Sequence, residues 1–116
     1  MWHSLGKVTG GATPTRVTIN ETAPEKRVPC QTLFVQQLEA NLGKIYICDR
    51  ATADKTTLVG VLAIVPIPSV SDIGTALILP YVAVTVPSAP GALNAADFWV
   101  DFDNPLESCL ISAVRN

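Results

Sequence analysis

Residues 57–67 read TLVGVLAIVPI, and this stretch points to the fold class. It is rich in β-branched and aliphatic residues and runs into prolines, a composition typical of a core β-strand. The apolar run from Leu58 to Ile67 has ten residues, about half the length that a membrane-spanning helix needs. The sequence therefore predicts a core strand here and no membrane span.

The same pattern recurs along the rest of the chain. Runs of Val, Ile, Thr and aromatic residues are bounded by Gly, Pro, Asn, Asp and Ser, as in strands joined by loops. Strands are predicted at Lys7–Thr9, Pro14–Ile19, Thr32–Gln37, Lys44–Cys48, Thr57–Ile67, Ala76–Val86, Asp97–Phe102 and Ser108–Val114. We expect an all-β chain, folded as a single jelly-roll-like β-sandwich of about eight strands.

The length of the chain sets its domain organisation. With 116 residues, 48% of them hydrophobic, it has the size of one domain with one core. We expect residues 1–12 to form an N-terminal arm with the first short strand, and residues 13–116 to form the β-sandwich.

Two segments repeat one pattern of apolar and aromatic residues. The triplet Ile45–Ile47 and the segment Phe98–Phe102 each place an aromatic residue between apolar ones. Because successive side chains of a strand point to opposite faces, Tyr46 and Trp99 are expected on outer faces. The two strands are then expected at matching places in the two sheets; chance similarity among β-prone residues is the alternative.

The net charge and the low content of charged residues indicate which classes of partner to expect. The net charge is −2 and charged residues make up 16% of the chain, below the roughly 25% typical of soluble domains. The eight Lys and Arg residues are scattered, so nucleic acid and anionic membrane surfaces are not expected as partners. Low charge density predicts that part of the apolar surface is covered by a partner or by a copy of the chain, the alternative being an unusually apolar monomer.

The cysteines and the N-terminus indicate where the chain is made. Cys30, Cys48 and Cys109 form no CxxC pair, and Met1–Ser4 does not begin a signal peptide. An odd number of cysteines in such a chain predicts reduced thiols and synthesis in a cytoplasm. All three are expected to be small buried hydrophobic residues.

Candidate catalytic groups are few. The one histidine, His3, is close to the N-terminus and has no companion for nucleophilic or zinc chemistry, and no phosphate-binding motif occurs. We therefore expect no enzyme, no catalytic residue, no cofactor and no metal site.

One acidic cluster remains, formed by Asp97, Asp101, Asp103, Asn104 and Glu107. Its oxygen atoms are compatible with a hard cation, and its carboxylates with a glycosidase pair. The alternative is a solvated turn whose side chains bond their own backbone.

Three segments are candidates for a partner surface. The N-terminal residues carry Trp2 and Leu5, and Trp2 either docks on a neighbouring subunit or folds back over its own core. The loops Ile67–Gly74 and Val86–Leu93 are apolar and stiffened by proline. The expected interface residues are Trp2, Leu5, Ile67, Val70, Ile73, Val86 and Leu93.

Three stretches carry a family resemblance: Val28–Gln36 (VPCQTLFVQ), Ala40–Ile47 (ANLGKIYI) and Asn94–Asp101 (NAADFWVD). Together they resemble small virion proteins of tailed bacteriophages, whose jelly-roll or sandwich modules decorate the head or form fibres. The resemblance covers about half of the chain. Cys48 stands where those sequences have glycine, and the segment Leu58–Val86 matches none of their patterns.

The resemblance implies a capsid decoration (cement) protein. Such a protein binds the outer surface of the icosahedral head and stabilises the shell of the major capsid protein. The expected partners are the major capsid protein and further copies of the chain, as a dimer or trimer, at the capsid surface of the virion after synthesis in the host cytoplasm. The alternative is a fibre, neck or tail module that binds carbohydrate through Trp99 with Asp97 and Asp101.

Overall fold

A computed structural model describes residues 2–23, 28–70, 77–85 and 93–115, except the side chains of residues 70, 77 and 78. The strands are β1 (Trp2–Thr9), β2 (Thr15–Arg16), β3 (Pro29–Cys30), β4 (Thr32–Gln37), β5 (Ile45–Cys48), β6 (Val61–Val65), β7 (Ser69–Val70), β8 (Leu77–Ile78), β9 (Tyr81–Thr85), β10 (Leu93–Asn94), β11 (Trp99–Phe102) and β12 (Ser108–Val114). In these ranges the one helical element is a 3₁₀ turn at Ala95–Asp97. The all-β prediction is confirmed.

Two four-stranded antiparallel sheets contain the longer strands. The first sheet has the order β1-β12-β4-β9 and the second has the order β2-β11-β5-β6. Two short ribbons, β3 with β10 and β7 with β8, complete the pairing in the described residues.

The strand pairs are nested. β1 pairs with β12, β2 with β11, β3 with β10, β4 with β9, and β5 with β6. The chain therefore folds back on itself as an antiparallel ribbon that turns between β5 and β6, and a separate hairpin of β7 with β8 lies between β6 and β9 in the sequence. The pairs β1–β12 and β4–β9 lie in the first sheet, and the pairs β2–β11 and β5–β6 lie in the second.

Alternating side chains explain why β4 and β12 form where they do. In β4, Leu33, Val35 and Gln37 are buried and the residues between them are partly exposed. β12 alternates in the same way. Since one face of each strand is buried and the other is at least partly exposed, the register is well determined, and both strands begin and end at the predicted residues.

Both sheets contribute to one hydrophobic core. Its members come from the inner faces of the strands and from the segments that join them. Phe102 of β11 is the largest fully buried side chain, and its ring lies against Gly10, just after β1. A Cβ atom at Gly10 would be 2.2 Å from the Phe102 Cδ1 atom, so the close approach of the second sheet to the end of β1 requires glycine at residue 10.

The N-terminal segment differs from the expected arm. Residues 2–9 form an edge strand of the first sheet, paired with β12 from Trp2↔Val114 to Thr9↔Ser108. The register shifts between Ser4 and Gly6, so that Leu5 has no opposite residue and is buried in the core. This pairing joins the two ends of the described chain, and no local sequence pattern signals it.

Two predicted strands are shorter than expected because the chain turns. The predicted Pro14–Ile19 ends as β2 at Arg16, where the Ile19 N–H donates to the Arg16 carbonyl. The predicted Thr57–Ile67 is reduced to β6, since Leu58 and Gly60 have φ angles of 64° and 82°. Such angles occur in turns and not in strands.

Proline and a 3₁₀ turn interrupt two other predicted strands. The predicted Ala76–Val86 becomes β8 and β9, with Pro80 between them; its end residues, 76 and 86, lie outside the described ranges. The predicted Asp97–Phe102 begins instead at Trp99, after the 3₁₀ turn, which the Asn94 side chain caps by accepting from the Ala96 N–H.

The expected placement of the Tyr46 and Trp99 strands is wrong. β5 and β11 are adjacent in the second sheet, with Tyr46 opposite Asp101 and Trp99 opposite Cys48. They do not occupy matching places in two sheets, because the nested ribbon places β5 beside β11. Neither aromatic residue belongs to the hydrophobic core cluster, although Tyr46 is buried.

A buried polar network connects the ends of several strands. The Gln37 Nε2 atom donates to the Gly43 carbonyl (2.9 Å) and the Pro66 carbonyl (3.1 Å). The Asn41 Nδ2 atom donates to Gln37 Oε1 (2.6 Å) and to the Ser108 carbonyl (2.6 Å). The network thus joins β4, the 41–44 loop, the residue after β6 and the start of β12.

Candidate functional site

The outward side chains of the first sheet form one continuous surface, called here the outer face. Its members alternate with the core residues along the strands: Trp2, Ser4, Lys7, Thr32, Phe34, Gln36, Tyr81, Ala83, Thr85, Leu110, Ser112 and Val114. Of these side chains, Lys7 alone is charged, and it lies on the edge strand β1. The outer face is therefore a neutral surface of aromatic, aliphatic, hydroxyl and amide groups.

An aromatic cluster crosses the outer face. The ring centroids of Trp2 and Phe34 are 5.2 Å apart, and those of Phe34 and Tyr81 are 6.1 Å apart. Trp2 is 67% exposed and Tyr81 is 63% exposed. Because Ser112 lies opposite Phe34 on β12 and is small, the Trp2 ring reaches Phe34 across that strand.

A shallow depression lies at the aromatic cluster. Its volume is about 330 Å³, and it is lined by Trp2, Phe34, Gln36, Tyr81 and Ser112. Large aromatic side chains with exposed faces and nearby hydrogen-bonding groups are typical anchors of binding surfaces. The rings are held by regular strands, so docking on them costs little conformational entropy.

The structure places some of the expected interface residues at the surface and others in the core. Trp2 and Ile67 are exposed, and Trp2 lies on the outer face instead of covering the core. The prediction that Leu5 and Leu93 lie at an interface is wrong, because both belong to the core, with 2% and 9% exposure. The bulge in β1 turns Leu5 inward, and the pairing of β10 with β3 buries Leu93.

The remaining interface predictions concern the two loops. Val70 lies in β7, and its side chain is not described. Ile73 and Val86 lie outside the described residues.

Sequence reasoning missed Phe34 and Tyr81. A signal for Phe34 was present, because strict alternation along β4 places it on the face opposite to Leu33 and Val35. Its proximity to Trp2 and Tyr81 depends on the order of β1, β4 and β9 in the sheet, which no local pattern encodes.

Trp99 and Asp101, which belong to the predicted carbohydrate-binding group, are already engaged by other residues of the chain. The Arg16 guanidinium carbon lies 4.4 Å from the centroid of the Trp99 ring, and Arg16 also donates to the Ala96 carbonyl. Asp101 is 5% exposed and accepts from the Phe102 N–H. One face of the indole and the adjacent carboxylate therefore already have partners within the chain.

The acidic cluster secures a neighbouring loop. Glu107 accepts from the Leu42 N–H (2.7 Å) and the Gly43 N–H (3.2 Å). Asp103 accepts from the Lys44 N–H (3.0 Å) and the Tyr46 hydroxyl (2.8 Å). Among the described residues, no group of three or more His, Cys, Asp or Glu side chains is placed to hold a metal ion. The carboxylates thus bind the 41–44 loop to the turn before β12.

The hydrogen bonds of Asp103 make stability depend on pH. Partial desolvation raises the pKa of Asp103, but the Lys44 and Tyr46 donors outweigh it and lower this pKa. Burial, with the hydrogen bond to Asp103, raises the pKa of Tyr46 to about 12, so the phenol stays protonated and donates at neutral pH. A carboxylate with a lowered pKa stabilises the fold above its unfolded pKa, and the contribution is lost as pH falls through the folded value.

We expect Asp103→Asn to weaken the loss of stability on acidification between about pH 5 and pH 2. At neutral pH the cost should be below about 1 kcal/mol, because Asp103 is exposed and its interactions are screened. Urea unfolding across this pH range measures both effects. Asp97→Asn, in the exposed part of the 3₁₀ turn, is the control, and equal acid profiles for the two variants would contradict the assignment.

The three cysteines are free and buried, as predicted. Burial raises the pKa of Cys48 to about 11 and that of Cys109 to about 12, and it also raises the pKa of Cys30. All three thiols are therefore protonated at neutral pH and pack as small apolar groups.

Comparison of the chain with protein families, with characterised proteins and with solved structures finds no match. Among the described residues there is no helix of the length and apolarity that crossing a membrane requires. The outer face of the first sheet, with its aromatic cluster, is the candidate functional site.

Proposed function

We propose that this chain is a bacteriophage capsid decoration protein. In this role it binds the outer surface of the icosahedral head through the outer face of the first sheet and stabilises the shell of the major capsid protein. It acts at the virion surface, as a binding protein and not as an enzyme.

The nested strand pairs support the finer description of the fold as a jelly roll. Among the eight strands of the two large sheets, the first pairs with the last, the second with the seventh, the third with the sixth and the fourth with the fifth. An antiparallel ribbon rolled into two sheets has this order. Jelly rolls are frequent in viral capsid and lectin domains.

The neutral aromatic outer face carries the proposal. Trp2 and Tyr81 each expose more than 60% of their surface on a sheet face whose single charge is at its edge. Exposed aromatic surface of this kind is typical of protein interfaces, where it becomes desolvated on docking. A neutral surface loses little charge solvation when it is covered, so a dry, long-lived contact with a capsid subunit fits its chemistry.

Stabilisation of the shell follows from mass action. A protein that binds the assembled shell and not its separated subunits stabilises the assembly by its own binding free energy. Many copies on the symmetric head add their contributions.

We expect Trp2→Ala and Tyr81→Ala each to reduce the affinity for heads assembled without this protein by about 10- to 100-fold or more. Co-sedimentation of purified protein with such heads gives the affinity, and resistance of the heads to heat gives the stabilisation. Leu42→Ala is the matched control, because Leu42 is 83% exposed and lies in the 41–44 loop, away from the outer face. If wild-type protein does not bind the heads, or if both aromatic variants bind like wild type, the proposal fails.

A carbohydrate-binding fibre or tail module is the second candidate. It is favoured by the depression at the aromatic cluster, where the Gln36 amide and the Ser112 hydroxyl stand beside exposed rings. Aromatic faces with a few polar groups suit a neutral sugar. Retention on host polysaccharide that is lost in Trp2→Ala, together with no binding to heads, would favour this role over decoration.

A further inference from the structure

The second sheet ends in a strand with an open edge. β6 is the last strand of the order β2-β11-β5-β6, and within the described part of the chain it pairs with β5 alone. An edge strand presents a row of unpaired N–H and C=O groups, which is a template for another strand.

The chemistry of β6 and its flanks is aliphatic and neutral. Residues 56–70 contain no charged side chain. Five large hydrophobic residues in this segment are exposed: Leu58, Val59, Leu62, Ile64 and Ile67. Proteins usually protect edge strands with lysine, proline, bulges or short length. β6 contains neither lysine nor proline, and its one irregularity, the register shift with β5 at Leu62, carries one of the exposed aliphatic side chains.

Two other edges are protected by these means. β1, at one edge of the first sheet, carries the charged side chain of Lys7. β2, at the far edge of the second sheet, is two residues long. The edge strands on the opposite side of the molecule carry no charge. There β6 contacts β9, which is the other edge strand of the first sheet. Residues 77–85, which include β9, are uncharged like β6. The edges of both sheets on this side are therefore neutral.

We propose that β6 pairs with β6 of a second copy of this chain, antiparallel and about a twofold axis, to form a dimer. Main-chain groups at an open edge require an extended strand as partner, and a neutral aliphatic edge selects a neutral aliphatic strand. A second β6 meets both conditions, because a twofold interface brings one surface against itself.

Side-chain pairing across the axis is complementary. With Ala63 at the axis, Leu62 lies opposite Ile64 of the partner subunit, and this aliphatic pair occurs twice. The second sheets of the two copies then form one continuous sheet of eight strands. The outer face belongs to the first sheet and the β6 edge to the second, so dimerisation and docking use different sheets.

Sedimentation equilibrium on the full chain tests the dimer. We expect wild-type protein to have twice the 12.3 kDa mass of the chain, and Leu62→Lys to weaken association at least about 100-fold, because the apolar contact is lost twice by symmetry. Ile64→Lys should act in the same way. Leu42→Lys, at an equally accessible leucine in the 41–44 loop, should dimerise like wild type. A wild-type protein that remains monomeric at high concentration, or Leu62→Lys and Ile64→Lys variants that dimerise like wild type, would overturn the proposal.

Hydrogen exchange tests whether β6 forms the dimer contact, and it requires no substituted variant. Amides of residues 61–65 that point away from β5 should become protected as the protein concentration rises through the dimerisation range, while those of the 49–60 turn should not. Protection in 61–65 that is independent of concentration in a protein that does dimerise would place the contact elsewhere and reject the β6 pairing. Head binding by the outer face is measured separately, so the failure of either proposal is recognised without the other.

Discussion

Phe102→Ala is expected to lower the free energy of unfolding by about 3–5 kcal/mol. Phe102 is the largest fully buried side chain, and its ring fills the space between β11 and the end of β1. Since Gly10 has no side chain that could move into the gap, the truncation leaves a cavity at the contact between the two sheets. Such a cavity adds its own cost to the lost transfer free energy.

Urea unfolding followed by fluorescence or circular dichroism measures the effect. Phe34→Ala is the matched control, because it removes the same atoms from the outer face, where the side chain is partly exposed. It should cost clearly less in stability and should impair docking instead. A cost for Phe102→Ala no greater than that for Phe34→Ala would show that the ring does not join the sheets.

Gln37→Leu is expected to cost about 3 kcal/mol or more, although it places an apolar side chain at a buried position. Gln37 is fully buried and has three hydrogen-bonding partners, the carbonyls of Gly43 and Pro66 and the Asn41 amide. Leucine satisfies none of them, and each buried polar group left without a partner costs about 1–3 kcal/mol.

Gln36→Leu is the control for this substitution. Gln36 is the preceding residue of β4 and points to the outer face, so its replacement should change the free energy of unfolding by less than about 0.5 kcal/mol. Chemical denaturation of both variants gives the comparison. If Gln37→Leu were as stable as Gln36→Leu, the polar network would have no net role in the fold.

The strands that sequence predicts correctly are those with strict alternation. Thr32–Gln37 and Ser108–Val114 match the structure at both ends, because each has one buried and one solvated face. The segment Thr57–Ile67 has no polar residue after Thr57, and its composition could not show that Leu58 and Gly60 turn the chain. Apolar content alone therefore does not locate a strand end.

The candidate site was less accessible to sequence reasoning. The aromatic side chain of Trp2, in an uncharged N-terminal segment, predicts an interface residue, and Trp2 is exposed; Leu5 is also expected at the surface but belongs to the core. The difference is a bulge in β1, which depends on pairing with β12 at the far end of the chain. Phe34 and Tyr81 join Trp2 through the strand order, another property of distant pairing.

The nested order of the strand pairs has a consequence for folding. β5 and β6 are joined by residues 49–60, whereas β1 and β12 bring together residues from opposite ends of the described chain. Closing the larger loop costs more chain entropy, so pairing should propagate outwards from β5 and β6, with β1 added last. Because Trp2 belongs to β1, a copy in which β1 has not yet paired lacks the aromatic cluster. If the chain is a decoration protein, as proposed, incorporation into a shell would select chains that have finished folding.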